Sequence, residues 1–400
     1  MSIAVADLAR SPNALAAHYL RFRVDERLLL TGHSHQAWPD CSLKGQLQAW
    51  EDAAEEVDEK WGRAFAMADR VRAGYAALLD DRSGTYALGS NTHELVVRFL
   101  SALPLVERPR LITTDGEFHS IRRQLDRLAE EGLEIVRLPA DDPATLAERL
   151  VGAICDRTAA VLVSAVLFQN ARIVPGLGAV QKAAEQHGAE VLVDTYHALD
   201  VIPYSLPAEG LEQAFVVGGG YKYCQLGEGN CFLRLPPDCA MRPVITGWFA
   251  EFDLLAEAKT LGHVAYGEGA SRFAGSTYDP TCHYRAARVF DFFAERGLTA
   301  DFLRSVSQHQ VGTLSSAFDR LDIDPSVVRR QPIPLAELGG FLVLETPHAE
   351  ALSRALRRRG VSTDTRGDKL RFGPAPYLSD RQLHDSMELL GEATSEAVSA

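Results

Sequence analysis

The sequence predicts an α/β fold built on a mostly parallel sheet, followed by a smaller C-terminal α+β domain. Two observations carry that expectation. Between residues 110 and 220 short apolar runs alternate with amphipathic stretches, as expected for strand–helix–strand units that stack into a parallel sheet. After Pro243 the alternation loosens, and from about residue 282 the order becomes helical stretches, a strand, a helix and a short strand pair. A chain of 400 residues also exceeds one small core, which leaves two domains or one large α/β domain.

The elements follow in order. Residues 43 to 79, from "LKGQLQAWEDAAEEVDEKW" through "RVRAGYAALL", keep helical spacing with many charges. "RLITTD" reads as a strand, "SIRRQLDRLAEEG" as the helix after it, and "EIVRLP" as the next strand. "AAVLVSAVLF", "GLGAVQKAAEQHG" and "EVLVDTYHA" repeat the pattern, and "QAFVVGGG" adds one more strand. The Gly- and aromatic-rich residues 247 to 280 read as ordered loop. "TCHYRAARVFDFFAERG" begins the second domain, which continues with the strand "GGFLVLET" and the helix "HAEALSRALRRRG". "STDTRGDKLRFGPAPYLSD" closes it as a short strand pair with a terminal helix behind.

Hydrophobic content of 46% and charged content of 24% are those of an ordinary globular protein. The 41 Lys and Arg against 54 Asp and Glu leave a net charge of −13, which argues against nucleic acid as a partner. The first twenty residues carry Asp7 and Arg10 and lack a long apolar stretch, so they do not read as a signal peptide. No run approaches the roughly 20 apolar residues that a membrane helix needs. Six scattered cysteines form no CxxC pair, which suits a reducing compartment and neither a disulfide framework nor a metal site. A cytoplasmic location is expected.

One stretch, "EVLVDTYHALDVIPYSLPAEGLEQAFVVGGGYKYCQLGEG", poses a chemical question. Asp194 ends an apolar run, His197 follows three residues later, and Lys222 comes directly after three glycines and Tyr221. A carboxylate or an ammonium at the end of a buried strand is unfavourable unless something pairs with it. In open parallel sheets ligands bind beyond the carboxyl ends of the strands, so the three side chains can face one pocket. Read singly, Asp194 is a turn or N-cap residue, His197 a core or surface histidine and Lys222 a solvated lysine. Each of those readings explains one residue, whereas a cationic ring bound covalently by Lys222 and neutralised by Asp194 explains the set.

"VDTYHALDVIPYSL" with "AFVVGGGYKY" resembles the Asp-x-x-His and Tyr-Lys-Tyr signature of kynureninases, in the class V aminotransferase superfamily of fold-type-I pyridoxal phosphate enzymes. The resemblance runs in order from about residue 28 to 380. "LLTGHSHQAWPD" is similar to the family's N-terminal Gly-Asn-Ser-Leu-Gly-Leu-x-Pro segment, "ALGSNTHELVVRFLSAL" to its phosphate loop, "TGWF" to a Gly-Trp-Phe motif and "KLRFGPAPYLSD" to its C-terminal Arg segment. It implies a seven-stranded-type sheet and a large cofactor domain over residues 46–281. A small domain would cover 282–400, with an N-terminal segment, 1–45, contributing to the substrate pocket and to the small domain.

By that resemblance Lys222 binds the cofactor covalently, Asp194 pairs with the pyridine nitrogen, and His197 sits against the cofactor and orients the carboxylate or the ring oxygen. Asn91 and Thr92 precede a helix whose N–H groups suit a phosphate, an N-cap role for Thr92 being compatible with this. Tyr221 matches the tyrosine that hydrogen-bonds the phosphate, and Phe118 the aromatic stacked on the ring. Ser164, Trp248 and Thr277 match further cofactor contacts. The last two would come from the other subunit, which implies a homodimer with shared active sites. Arg371, preferred over nearby Arg366, would grip the substrate α-carboxylate with a two-point fork.

Two departures from the family bear on specificity. His33, Ser34, His35 and Gln36 stand in the pocket-lining N-terminal segment, with His33 at a usual Asn and His35-Gln36 at Leu-Gly. "HSI" follows Phe118 where kynureninases carry Pro, Ser or Thr, and Asp, so Ile121 replaces a carboxylate and makes the ring's surroundings less negative. Imidazoles titrate near neutrality and hydrogen-bond polar groups. The expected activity is therefore kynureninase-like hydrolysis with weak cleavage of kynurenine and better turnover of an amino acid with a more polar side chain. The alternatives are a class V lyase or aminotransferase acting on another small amino acid, or a non-catalytic cofactor-binding protein. A cysteine desulfurase would need a thiol on a small-domain loop, and no cysteine follows Cys282.

Overall fold

The computed structural model describes residues 3–399. A short helix α1 (Val5–Ala9) and a two-residue strand β1 (Leu28–Leu29) precede two long helices, α2 (Cys41–Glu56) and α3 (Trp61–Leu78). The central part is an alternating series: β2 (Thr85–Gly89), α4 (Thr92–Ala102), β3 (Arg110–Thr114), α5 (His119–Glu130), β4 (Glu134–Leu138), α6 (Pro143–Ala153), β5 (Thr158–Ser164), α7 (Leu177–His187), β6 (Glu190–Asp194), the single-turn α8 (Leu206–Glu209), β7 (Phe215–Gly219) and β8 (Cys231–Leu235). The C-terminal part holds α9 (Thr281–Arg296), α10 (Ala300–Asp319), β9 (Leu342–Glu345), α11 (Ala349–Arg358), β10 (Val361–Ser362), β11 (Asp364–Arg366), β12 (Lys369–Phe372) and α12 (Asp380–Ser399).

The seven-stranded sheet has the order β2-β8-β7-β6-β5-β3-β4. Its pairs from β4 through β7 are all parallel, whereas β8 runs antiparallel to both β7 and β2. The strands at the centre are buried on both faces, which is why β5 and β6 read as continuous apolar runs without alternation. The antiparallel β8 carries a fully buried Arg234 whose Nε and Nη2 meet the two Asp81 carboxylate oxygens at 2.7 and 3.0 Å. That pair ties β8 to the turn before β2, and it is why this strand does not read as apolar in sequence.

β9, β11 and β12 form a separate antiparallel sheet. The N-terminal segment closes onto it: β1 pairs in parallel with β10, and Gly32 donates to the Gly373 carbonyl at 2.7 Å. Residues 28 to 36 are thereby placed beside the end of β12. The 247–280 stretch, expected as ordered loop, also holds two short 3-10 helices, Trp248–Leu254 and Gly269–Phe273.

Candidate active site

The carboxyl ends of β5, β6 and β7 open onto one cavity of about 290 Å³. Ser164, Asp194, His197, Tyr221 and Lys222 line it, together with Ser90, Asn91, Thr92 and Phe118. Adjacent parallel strands bring this about, since Ser164 pairs in register with Asp194, and Asp194 with Val217 two residues before the end of β7. The glycines before Lys222 are there for close approach. A Cβ on Gly219 would stand 2.2 Å from Tyr196 Oη, and one on Gly220 2.4 Å from a Leu226 methyl carbon, so the backbone turns into the pocket only without side chains.

Lys222 is buried, with its Nζ 2.8 Å from His197 Nε2 and 4.7 Å from the centre of the Tyr196 ring. Burial pushes its pKa from 10.5 down to about 7, although Asp194 opposes the shift. The shift favours the free amine, which is the nucleophilic form. Burial, with Lys222 and other nearby charges adding to it, pushes the His197 pKa well below its ordinary value, which favours the neutral imidazole. His197 Nδ1 is buried without a partner. The Asp194 carboxylate accepts one hydrogen bond, from the Tyr196 amide at 2.8 Å, and forms no ion pair among the described residues. Burial raises its pKa, against the pull of the Tyr196 amide and of Lys222.

These unmatched groups fit the cofactor that the sequence implies. A buried carboxylate lacking a cation, a buried amine lacking a carboxylate and an unpartnered imidazole nitrogen around one cavity suit a ring with a cationic nitrogen, an aldehyde and a ring oxygen. At the other end of the cavity, α4 begins. Asn91 caps it, accepting from the Glu94 amide at 3.0 Å, so the cap is Asn91 and Thr92 is the first helical residue. The Thr92 hydroxyl faces Cys231 Sγ at 3.8 Å. An eleven-residue helix with its N-terminus on the cavity is suited to an anion.

Other expected residues fall differently. Phe118 is the N-cap of α5 and packs edge-on to Phe168, 5.4 Å from Lys222 Nζ. Trp248 and Thr277 hydrogen-bond each other at 3.3 Å and do not line the cavity within this chain. Arg371 is buried and its fork is already filled: Nε and Nη2 meet the Asp364 carboxylate at 2.9 and 2.5 Å, and Nη1 meets the Phe168 carbonyl at 2.5 Å. Arg366 lies 3.7 Å from the same carboxylate. His33 stacks on Phe341 and contacts Asp364 at 2.8 Å. Its burial lowers its pKa to about 4, which corrects the expectation of an imidazole that titrates near neutrality. His35 is exposed, stacked on Tyr221 with ring centres 4.8 Å apart, and Ser34 Oγ lies 3.2 Å from its Nδ1.

The expectation for Ile121 also needs correction. Ile121 is a fully buried core residue of α5, and a second carboxylate near Asp194 is present nonetheless. Glu117 is buried at the end of β3, accepting from Ser164 Oγ at 2.5 Å and from Thr114 Oγ1 at 2.6 Å. Burial raises its pKa to about 7, the two hydroxyls opposing that shift and the charge of Asp194 adding to it. Glu117 was findable by the rule that singled out Asp194, a carboxylate just past a strand end. Asp364 was not, because "STDTRGDK" looks like a solvated hairpin.

Comparison with known proteins bears on the fold and on the cofactor. Residues 303–390 match the family model described as "Kynureninase C-terminal domain". A kynureninase of Bacillus cereus is 22% identical over 376 residues, covering 87% of this chain and 83% of the relative. One of Xanthomonas euvesicatoria is 25% identical over 238 residues, 52% of this chain and 55% of the relative. Among solved structures, a C-DES mutant with glycine covalently linked to its PLP cofactor superposes with a TM-score of 0.81 at 15% identity, covering 94% of this chain and 98% of that one. A cysteine desulfurase of Thermococcus onnurineus gives 0.79 at 15% identity, covering 96% and 98%. In sequence the chain is similar to kynureninases over most of its length, and its fold is that of the fold-type-I pyridoxal phosphate enzymes.

Proposed function

We propose that the chain is a pyridoxal-phosphate-dependent hydrolase that cleaves the Cβ–Cγ bond of an amino acid carrying a γ-carbonyl, L-kynurenine or a more polar analogue. One water is consumed, and the products are alanine and a carboxylic acid. The observation that carries this reading is the buried Lys222 amine, without a carboxylate in contact, set against Asp194 and His197 at the strand ends. Pyridoxal phosphate, when bound, supplies an aldehyde for the amine and a ring that delocalises the electron pair left at Cα.

The chain's residues divide the remaining work. Lys222 holds the cofactor, and its Nζ takes and returns the proton at the substrate Cα, a role its pKa of about 7 suits. Asp194 holds the positive charge of the ring nitrogen, and His197 orients the ring oxygen. Ser164 is fixed by Glu117 and presents its hydroxyl beside Asp194. Phe118 stacks on the ring, while the N-terminus of α4 with Asn91, Thr92 and Tyr221 holds the phosphate. Arg371 takes the substrate carboxylate by sharing its guanidinium with Asp364. Trp248 and Thr277 act in the neighbouring subunit of a homodimer. Their separation from this chain's own cavity supports that reading.

The test has two parts. Borohydride reduction of protein loaded with pyridoxal phosphate, followed by peptide mapping, should place the label on Lys222; a label on Lys182 or Lys259 overturns the assignment. Incubation with L-kynurenine and 3-hydroxykynurenine should then release alanine and the matching aromatic acid. Pyruvate with ammonia, or an oxo acid, would instead identify a lyase or an aminotransferase using the same lysine.

A further inference from the structure

On the far side of the loop that follows β6 lies a second group of polar atoms left unmatched. Asp200 is buried, and both of its carboxylate oxygens lack a hydrogen-bond partner. It sits at φ 62°, a left-handed conformation that a short carboxylate side chain tolerates better than most. Ser307 Oγ, on α10, is likewise buried and unpartnered. So is Tyr223 Oη, on the residue after Lys222, with the Gly340 amide close by. All three residues line one cavity of about 20 Å³, room for a single water-sized occupant.

No Lys, Arg or His forms an ion pair with Asp200 among the described residues. Of the two amides on the cavity wall, Gln310 Nε2 donates to the carbonyls of Ala375 and Leu378, and Gln36 Oε1 accepts from Gln225 at 2.8 Å. An isolated buried carboxylate is strongly unfavourable and is relieved either by taking up a proton or by a compensating positive charge; the two unpartnered hydroxyls on the same cavity favour a shared cation. One carboxylate balances a single charge, whereas a divalent ion would leave an excess buried. Carboxylate and hydroxyl oxygens are the ligands that hard, non-transition cations prefer.

We propose that this cavity binds one monovalent alkali cation, held by the Asp200 carboxylate with Tyr223 Oη and Ser307 Oγ. The ion would join α10 to the loop after β6 and to the residue that follows Lys222, coupling the C-terminal part to the strand ends that carry the site.

The experiment uses the full chain loaded with cofactor. Its melting temperature is measured in KCl, NaCl and choline chloride at one ionic strength, with Asp200→Asn alongside. Potassium or sodium should raise it saturably by at least about 3 °C over choline, and Asp200→Asn should abolish the difference. Crystals soaked in RbCl should show an anomalous peak between Asp200, Tyr223 and Ser307. Equal melting in all three salts, or an ion-specific rise that survives in Asp200→Asn, overturns the proposal. If that variant does not fold, the rubidium peak decides: present it supports the site, absent it leaves the cavity to water.

Discussion

Two buried clusters lie close to one another, and they are built from the same kinds of group. Lys222, Asp194, Glu117 and His197 form one, and Arg371, Asp364 and His33 the other. In the second every charge is matched inside the chain: the Arg371 fork and the His33 imidazole both close on Asp364. Burial pushes the Asp364 carboxyl up, but the hydrogen bonds and charges of His33 and Arg371 overcome it and hold the group well below the usual carboxylate range. In the first, Lys222 touches a neutral imidazole, Asp194 has one backbone amide, and both are pushed toward their uncharged forms. Identical chemistry is therefore spent in one place and held open in the other. The open cluster is the one whose charges lack an ion-pair partner among the described residues.

The contrast breaks most visibly at Asp194. If its missing counter-charge is the ring nitrogen of pyridoxal phosphate, Asp194→Asn should lower kcat by about 10²–10³-fold, the scale on which one preorganised electrostatic contact acts. The variant should also bind pyridoxal phosphate more weakly, seen as a loss of visible absorbance on dilution. Turnover equal to that of the unaltered protein would show that another group carries the charge. At Arg371 the contrast is sharpened. Arg371→Lys keeps a positive charge opposite Asp364 but loses the planar fork. The expected result is a KM raised by about 10–100-fold with kcat changed far less. A variant with lowered stability and unchanged KM would mean that Arg371 only holds Asp364.

The matched cluster was the less legible of the two in sequence. Asp194, His197 and Lys222 stand out because each interrupts a local pattern, an apolar run or a glycine triplet, and because two adjacent parallel strands bring them together. Arg371 and Asp364 are seven residues apart across a hairpin, where charges look solvated, and His33 reaches them from 331 residues away in the chain. The pairing of β1 with β10 and the contacts of Thr31 and Gly32 with Gly373 bring His33 there. The same limit hid β8, since Arg234 in "NCFLRL" finds its partner Asp81 at a separation of 153 residues. The central parallel strands β5, β6 and β7 were readable because burial on both faces leaves a run that needs no distant partner to interpret.

Glu117 joins the two halves of the comparison, for it is hydrogen-bonded by the chain yet still poised between charge states. Its folded pKa of about 7 lies above the ordinary value of 4.5, with burial as the largest cause. The folded protein therefore binds the proton more tightly than the unfolded chain does. The stabilisation is complete below about pH 4.5 and is lost as pH rises through about 7. Asp200 adds a loss of the same sign, its pKa raised to about 8 by burial, so a single pH profile does not isolate Glu117. Comparison with Glu117→Gln does, because glutamine keeps the shape, can still accept from Thr114 and cannot ionise. Urea unfolding of the cofactor-free protein at pH 5 and pH 7.5 should show the unaltered chain losing more stability than the variant between the two, by on the order of 2 kcal/mol. Turnover of the loaded variant should fall by no more than about tenfold, since Glu117 is hydrogen-bonded to Ser164 and does not itself line the cavity. Equal pH dependence in the two proteins would mean that Glu117 stays ionised in the fold, and the negative charge around the cofactor would then come from two carboxylates.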